Sequence, residues 1–237
     1  MRQWYEYELK PTGAVVSHSA KGNVVVTTGF SLIHDSANVQ VVYTINDAGT
    51  IKVDYNLSVK PGLPNIPKVG MQGGVAGSYD NVQWFGRGPM ENYVDRRYGF
   101  DAGIYNKNIY EFMEPYVVPQ ENGNRTDVRW MYLDNAKTKE GILIVADSLL
   151  SMSAWPYTEK NITNAKHTNQ LKAAGFITLN IDLAQMGVGG NDSWSDVAAP
   201  MEEYQLNAKS YSYSFYISPA PLPPERGFWS IKHEASF

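Results

Sequence analysis

Alternation of apolar and polar side chains is the dominant pattern along this chain. It is clearest at residues 51–59, where Ile51, Val53, Tyr55 and Leu57 fall on one face and polar side chains fall on the other. A period of two residues is typical of a β-strand with one buried face. The same alternation, or a short apolar run, predicts further strands at 24–26, 39–45, 82–85, 128–132, 142–145, 177–183 and 211–217.

The remaining segments indicate turns, short helices and chain ends. Residues 46–49, Asn-Asp-Ala-Gly, separate two alternating runs and predict a hairpin loop. The polar stretch 158–171 has room for one or two helical turns, although Asn and Thr are poor helix formers. Residues 4–9 alternate and predict a strand, whereas the proline run from 219 predicts that the last strand ends at Ser218. Roughly ten short strands with frequent turns favour one all-β sandwich or barrel domain.

Composition narrows the classes of function. The 237 residues include 20 Lys and Arg against 24 Asp and Glu, and no basic stripe is present, so neither nucleic acid nor an anionic membrane is an expected partner. Without cysteine the chain has no disulfide and no thiolate nucleophile, and four scattered histidines give a metal site little support. We therefore expect no metal or cofactor in this chain, and its cellular compartment stays open.

Three polar clusters carry the candidate chemistry. Residues 86–97, Gly-Arg-Gly-Pro-Met-Glu-Asn-Tyr-Val-Asp-Arg-Arg, combine turn residues with charges. We expect the two acidic residues, Glu91 and Asp95, to pair with the arginines of this cluster. Such pairing is typical of a corner that ties strands together, although direct contact with a substrate is the alternative.

The second cluster is residues 116–125, Tyr-Val-Val-Pro-Gln-Glu-Asn-Gly-Asn-Arg. Its carboxylate, amide and guanidinium groups at Glu121, Asn122 and Arg125 suit the hydroxyls of a sugar, because they offer donors and acceptors in fixed geometry. Stabilisation of the loop itself explains the same residues equally well.

The third cluster is residues 186–195, Met-Gly-Val-Gly-Gly-Asn-Asp-Ser-Trp-Ser. Trp194 on a glycine-rich loop is a candidate platform for the C–H face of a pyranose, with Asn191 and Asp192 beside it, although loop packing is the alternative. The glycine spacing does not match a dinucleotide-binding fingerprint. His167 is a candidate base in isolation, but a solvated histidine is the simpler interpretation.

Taken in order, the three clusters resemble signatures of the C-terminal domain of family 2 β-galactosidases. These signatures are G-x-G-P-x-E-N-Y-x-D-R at 86–96, Y-V-x-P-x-E-N-G-x-R at 116–125, and L-N-I-D followed by M-G-(I/V)-G-G-x-D-S-W-S at 179–195. The resemblance covers most of residues 1–218. It implies an antiparallel β-supersandwich of the galactose-mutarotase-like type over 1–218, with residues 219–237 as a tail.

The resemblance also implies a division of labour. In the family, a separate TIM barrel upstream carries the two glutamates that hydrolyse β-galactosides, so no catalytic residue is expected in this chain. The family domain contributes a loop to the sugar site, which assigns Trp194 to the wall of that site and Asn191 and Asp192 to the shape of the loop. We therefore expect an isolated chain that is inactive and that needs the barrel and a β-galactoside as partners.

Two further expectations and two alternatives follow. The family domain begins upstream of Met1, so we expect an exposed sheet edge and self-association into a homo-oligomer. The alternatives are an aldose epimerase on the same sandwich, with His167 as acid or base, and a stand-alone carbohydrate-binding module.

Overall fold

The computed structural model describes residues 2–5, 8–190 and 198–221, and most of these residues lie in antiparallel strands. The described residues include one short α-helix, α1 (Glu159–Asn164), which is followed by a 3-10 helix at Thr168–Gln170, within the stretch where the sequence predicts helical turns. None of the helices described is long and apolar enough to cross a membrane. The strands of the described residues are β1 (Lys10–His18), β2 (Val24–Leu32), β3 (Ala37–Ile45), β4 (Ile51–Val59), β5 (Lys68–Ala76), β6 (Asn81–Gly88), β7 (Asp101–Asn108), β8 (Arg125–Asn135), β9 (Glu140–Trp155), β10 (Phe176–Gln185) and β11 (Tyr211–Pro221).

The strands form one antiparallel sheet in the order β1-β2-β3-β4-β11-β9-β8-β6-β7, and the sheet branches at β9. The first half of β9 pairs with β11, whereas residues 151–155 at its end pair with β10, which in turn pairs with β5. Strand β8 pairs with β9 on the side opposite β11, and the register of this pairing shifts between Val128 and Trp130. The prediction of an all-β antiparallel fold is therefore confirmed.

The core lies on both faces of the central strands. In β8, Met131 and Leu133 belong to the main apolar cluster, while the alternate residues Trp130 and Tyr132 belong to a second, smaller one. Successive side chains of a strand point to opposite faces, so β8 is covered on both sides. The alternation predicted in β4 is also present, since Val53, Tyr55 and Leu57 are all buried there.

The strand predicted at residues 4–9 is wrong for the residues described. Arg2–Trp4 forms a 3-10 helix instead. Trp4 is buried, and its indole N–H donates to the carbonyl of Pro64 at 2.8 Å. Trp4 thus anchors this segment to the rest of the domain and does not pair with a strand.

The last strand continues past Ser218, where the proline run predicts its end. Pro219 lies opposite Ile142 of β9, and the pairing continues to Pro221. Pairing of β11 with β4 ends at Ile217, so beyond that point β11 has a neighbour on one side only among the described strands. Proline is tolerated at such an edge because its missing N–H faces no partner.

Candidate functional site

Glu91 joins the first two polar clusters. Its carboxylate is buried, and one oxygen accepts hydrogen bonds from the Arg96 guanidinium and from the Tyr116 hydroxyl. The other oxygen accepts the backbone N–H of Gly123 at 2.8 Å. Both oxygens of Glu91 are therefore committed, and the predicted pairing of this residue with an arginine is confirmed.

Asn92 stabilises the same junction between residues 91–96 and 122–126, which is called the corner below. Its side-chain oxygen accepts from the N–H of Thr126 at 2.9 Å and from the hydroxyl of Thr126 at 2.5 Å. Its amide group donates to the Met90 carbonyl at 3.1 Å, and its own carbonyl accepts from the Asn124 side chain at 2.8 Å. Asn92, Asn124 and Thr126 are all buried, so these hydrogen bonds take the place of the bonds to water that the same groups lose on folding.

Arg125 is fully buried beneath this corner. Its guanidinium packs 5.1 Å from the centre of the Trp84 ring and 4.3 Å from that of Phe112. It donates to the backbone carbonyls of Asn124 at 3.2 Å and Phe112 at 3.1 Å. Burial lowers the pKa of Arg125 to about 10, which still leaves it charged at neutral pH. A cation held over aromatic faces and bonded to carbonyls ties the second cluster to the core.

The other members of the second cluster divide between burial and exposure. Asn122 is buried and bridges the N–H and the carbonyl of Glu114 at 2.8 Å and 2.6 Å. Glu121 is exposed and accepts a long bond of 3.4 Å from the Tyr93 hydroxyl. Burial raises the pKa of Tyr93, so that hydroxyl stays protonated and remains a donor. For Asn122 and Arg125 the geometry favours loop stabilisation over ligand contact, which leaves Glu121 as the accessible member.

A cleft of about 300 Å³ opens where the first two clusters meet. Apolar side chains form much of its wall, while Glu91 and the half-exposed Arg96 supply its polar groups. It could hold a small polar group or a side chain from a neighbouring domain. The lining residues are Met90, Glu91, Arg96, Phe100, Glu114, Pro115 and Tyr116.

The third cluster begins where β10 ends, and the structure describes it as far as residue 190. The N–H of Gly189 donates to the Asp95 carboxylate at 2.6 Å, so Asp95 binds the glycine run and forms no ion pair with an arginine in the part of the chain described. The predicted residues Asn191, Asp192 and Trp194 lie outside the described residues. His167 lies exposed before the 3-10 helix that follows α1, and its side chain makes no capping bond.

Two acidic residues in this region escaped the sequence reasoning. Asp127 lies in β8 with a positive φ of 54°, in the region of the register shift between Arg125 and Val128, and binds Arg87 at 2.5 Å and Arg97 at 3.0 Å. A bulge of this kind re-aims a side chain, which periodicity alone does not reveal.

The second is Asp182, from the L-N-I-D sequence of β10. It is fully buried 3.7 Å from Lys68 Nζ, and burial outweighs that ammonium group and raises the pKa of Asp182 to about 7. An aspartate inside the apolar alternation 177–183 was the available signal. The described residues contain no group of three or more His, Asp or Glu side chains suited to a metal ion.

Fold and site together define an antiparallel β-sandwich domain whose motif-bearing loops are braced against one another at one surface. The family model of the β-galactosidase small chain matches residues 1–217, and the chain belongs to this family. The resemblance drawn from the three motifs is thereby confirmed.

Individual relatives agree with this assignment. A β-galactosidase of Priestia megaterium (strain DSM 319 / IMG 1521) is 34% identical over 83% of this chain, and one of Pseudoalteromonas haloplanktis is 37% identical over 77%. The matches span only 19% and 17% of those two proteins. Among solved structures, an aldose epimerase homologue from C. elegans is similar at 11% identity and a TM-score of 0.43, over 89% of this chain and 69% of that chain.

Proposed function

We propose that this chain is the sandwich domain of a β-galactosidase, an enzyme that hydrolyses terminal β-D-galactosides. In this proposal the chain supplies one wall of a sugar site that a separate TIM-barrel domain completes, and it is inactive alone. The observation that carries the proposal is the family match over residues 1–217, combined with relatives of which the chain spans less than a fifth.

The hydrogen bonding of the described clusters favours a role in stabilising the loops rather than in transferring protons to or from a substrate. Glu91, Asn92 and Arg125 are buried, and their hydrogen bonds go to backbone groups or to neighbouring side chains, so they serve the loops rather than a substrate. Asp182 has a pKa near neutrality, but it is fully buried and out of reach of a sugar. General acid–base catalysis needs a group within hydrogen-bond reach of the substrate, and none of these four meets that condition.

The surface around the third cluster supports docking of another domain. Loops from the three clusters are joined there, because Asp95 binds Gly189 and Tyr116 binds Glu91. Large apolar side chains on these loops or beside them in sequence are exposed, and exposed apolar side chains that cluster mark interaction sites. We assign this surface, called the loop face below, to contact with the catalytic domain. Its side chains are Met90, Tyr98, Val117, Val188 and Met201.

Trp194 is the residue proposed to meet the sugar. An indole ring offers a broad apolar face to the C–H groups of a pyranose and a single N–H donor at its edge. Asn191 and Asp192 are proposed to shape the loop that carries it. An aromatic contact of this type contributes about 1 kcal/mol, so its loss should weaken binding by roughly five- to tenfold.

The test compares the purified chain alone with the chain fused to the catalytic portion of the enzyme, using a chromogenic β-galactoside. We expect turnover only from the fusion, and a KM raised roughly five- to tenfold by Trp194→Ala. Tyr110→Ala, which removes an exposed aromatic side chain outside the loop face, is the matched control and should leave KM unchanged. Clear turnover by the chain alone, or a fusion indifferent to Trp194→Ala, would overturn the proposal.

The same preparations test the two alternatives. Interconversion of galactose anomers by the isolated chain, followed by polarimetry and abolished by His167→Ala, would favour an aldose epimerase. Saturable binding of galactose to the isolated chain, seen as a change in tryptophan fluorescence, would favour a stand-alone carbohydrate-binding module. The proposal expects neither signal.

A further inference from the structure

The glycine run 187–190 is held by hydrogen bonds from parts of the chain that are distant in sequence. The N–H of Met186 donates to the Pro67 carbonyl at 3.0 Å, and that of Gly187 donates to the Tyr204 carbonyl at 2.8 Å. The N–H of Gly189 donates to Asp95 Oδ2 at 2.6 Å, a bond between residues 94 positions apart. Of these three bonds, only the one from Asp95 uses a side chain, so it is the one that substitution can remove without altering the backbone.

The backbone at Gly187 and Gly189 approaches the Asp95 carboxylate so closely that a side chain at Gly187 would displace it. A Cβ atom added at Gly187 would lie 2.6 Å from Asp95 Oδ2 and 3.0 Å from the Cβ of Tyr204. One added at Gly189 would lie 3.0 Å from the same carboxylate oxygen. Glycine at 187 and aspartate at 95 therefore belong to one arrangement, in which absence of a side chain permits the carboxylate to reach the amide.

Asp95 is committed to this contact rather than to a neighbouring charge. The adjacent Arg96 pairs with Glu91, and Arg97 pairs with Asp127. The second oxygen of Asp95, Oδ1, is buried and has no hydrogen-bond partner among the described residues. A hydrogen bond from an amide to a carboxylate is stronger than one to a neutral acceptor, so this contact anchors the run just before residue 191.

From this geometry we propose that Asp95 is a positioning residue for sugar binding, acting through Trp194. By anchoring Gly189, the carboxylate sets where the chain enters the segment that carries Trp194, five residues further on. This inference rests on the proposed function of the domain and adds to it a residue that touches no sugar. It also links the Glu-Asn-Tyr-Val-Asp motif to the Asp-Ser-Trp-Ser motif as one functional unit.

The anchoring step is tested in the isolated chain, where no activity is required. Amide hydrogen exchange over residues 184–190 should be about tenfold faster in Asp95→Ala, because one charge-assisted bond is lost. Asp95→Asn keeps an acceptor oxygen and should fall between Asp95→Ala and the wild type. Asp101→Ala, at an exposed aspartate of β7, is the control and should not change the exchange. Unchanged exchange in Asp95→Ala would refute the anchor.

Gly187 provides an independent check on the same contact. Gly187→Ala should speed the exchange as Asp95→Ala does, since the new methyl group displaces the carboxylate. In the double variant Asp95→Ala/Gly187→Ala the clash with the carboxylate is absent, so the increases in exchange rate caused by the two substitutions should be less than additive. Gly99→Ala, where an added Cβ meets nothing within 4 Å, is the matched glycine control. Strictly additive effects would mean that the two residues act separately.

The functional step is tested in the active fusion. Asp95→Ala should raise KM roughly fivefold while changing kcat and the melting temperature little, with partial recovery in Asp95→Asn. When Asp95→Ala is combined with Trp194→Ala, KM should rise no further than in Trp194→Ala alone, because Asp95 acts through that tryptophan. A further loss in the double variant would overturn the proposal. If the wild-type fusion is inactive, the proposed function itself fails, whereas the exchange experiment still reports on the anchor.

Discussion

Removal of the Asn92 side chain should reveal how much the corner between β6 and β8 contributes to stability. Asn92→Ala leaves the backbone N–H and the hydroxyl of Thr126 without their acceptor, in a place where Asn92 and Thr126 are both buried. A buried donor left unpaired costs about 1–3 kcal/mol. The hydroxyl can rotate toward another acceptor, so we expect a total loss of about 3 kcal/mol in the free energy of unfolding.

That loss is large beside the whole stability of a domain, which is typically about 5–15 kcal/mol. For a chain of this size, 1 kcal/mol corresponds to roughly 2–4 °C in melting temperature, so Asn92→Ala should melt roughly 6–12 °C below the wild type. The measurement is urea unfolding followed by tryptophan fluorescence, with a thermal melt followed by circular dichroism.

A matched control is available on the surface. Asn106 donates one exposed side-chain bond to Asn81 at 3.0 Å, so Asn106→Ala removes a hydrogen bond of the same chemistry without burial. We expect it to cost less than about 0.5 kcal/mol. If Asn92→Ala costs no more than Asn106→Ala, the corner is not held by buried hydrogen bonds and the reasoning fails.

Two further predictions concern pH and association. The pKa of Asp182 is raised to about 7 in the folded protein, so the folded state binds this proton more tightly than the unfolded state, and stability should fall as pH rises from about 4 to about 7. Urea unfolding at both ends of that range should show a smaller fall in Asp182→Asn, and parallel profiles would refute this. Strand β1 is exposed throughout and, among the residues described, pairs on one side only, with Val15 and Val16 both 66% exposed. We expect self-association through this edge, weakened by Val15→Lys, and a strictly monomeric wild type in sedimentation would contradict it.

Most strands were predictable because alternation is a local property of the chain, whereas β1, β5 and β7 were not predicted. Each run of alternating residues in β3, β4, β8, β10 and β11 became a strand, and the loop at 46–49 became a hairpin. The partners of each strand were not predictable, since pairing such as that of β11 with both β4 and β9 depends on residues far apart in sequence. The same limit explains the misplaced end of β11, because a proline is acceptable wherever one neighbour is missing.

The candidate site was predictable in its residue types but not in their burial. The pair of Glu91 and Arg96 lies within a single loop, so sequence proximity was enough to suggest it. Arg125 is fully enclosed between two aromatic rings, and nothing in its immediate sequence distinguishes it from an exposed arginine. Its surroundings, Trp84 and Phe112, come from segments that meet it only in the folded chain.

The polar motifs of this domain serve mainly the backbone of the loops that carry them. At the corner between β6 and β8 the chain leaves the ladder, and every buried N–H and carbonyl there needs a partner. Glu91, Asn92 and Asn122 supply those partners, so their presence is explained by folding alone. Asp95 differs, because its carboxylate reaches out of the corner to the glycine run at 187–190. A polar residue of the first cluster thus holds the glycine run just before residue 191, whereas Glu91, Asn92 and Asn122 serve the corner itself.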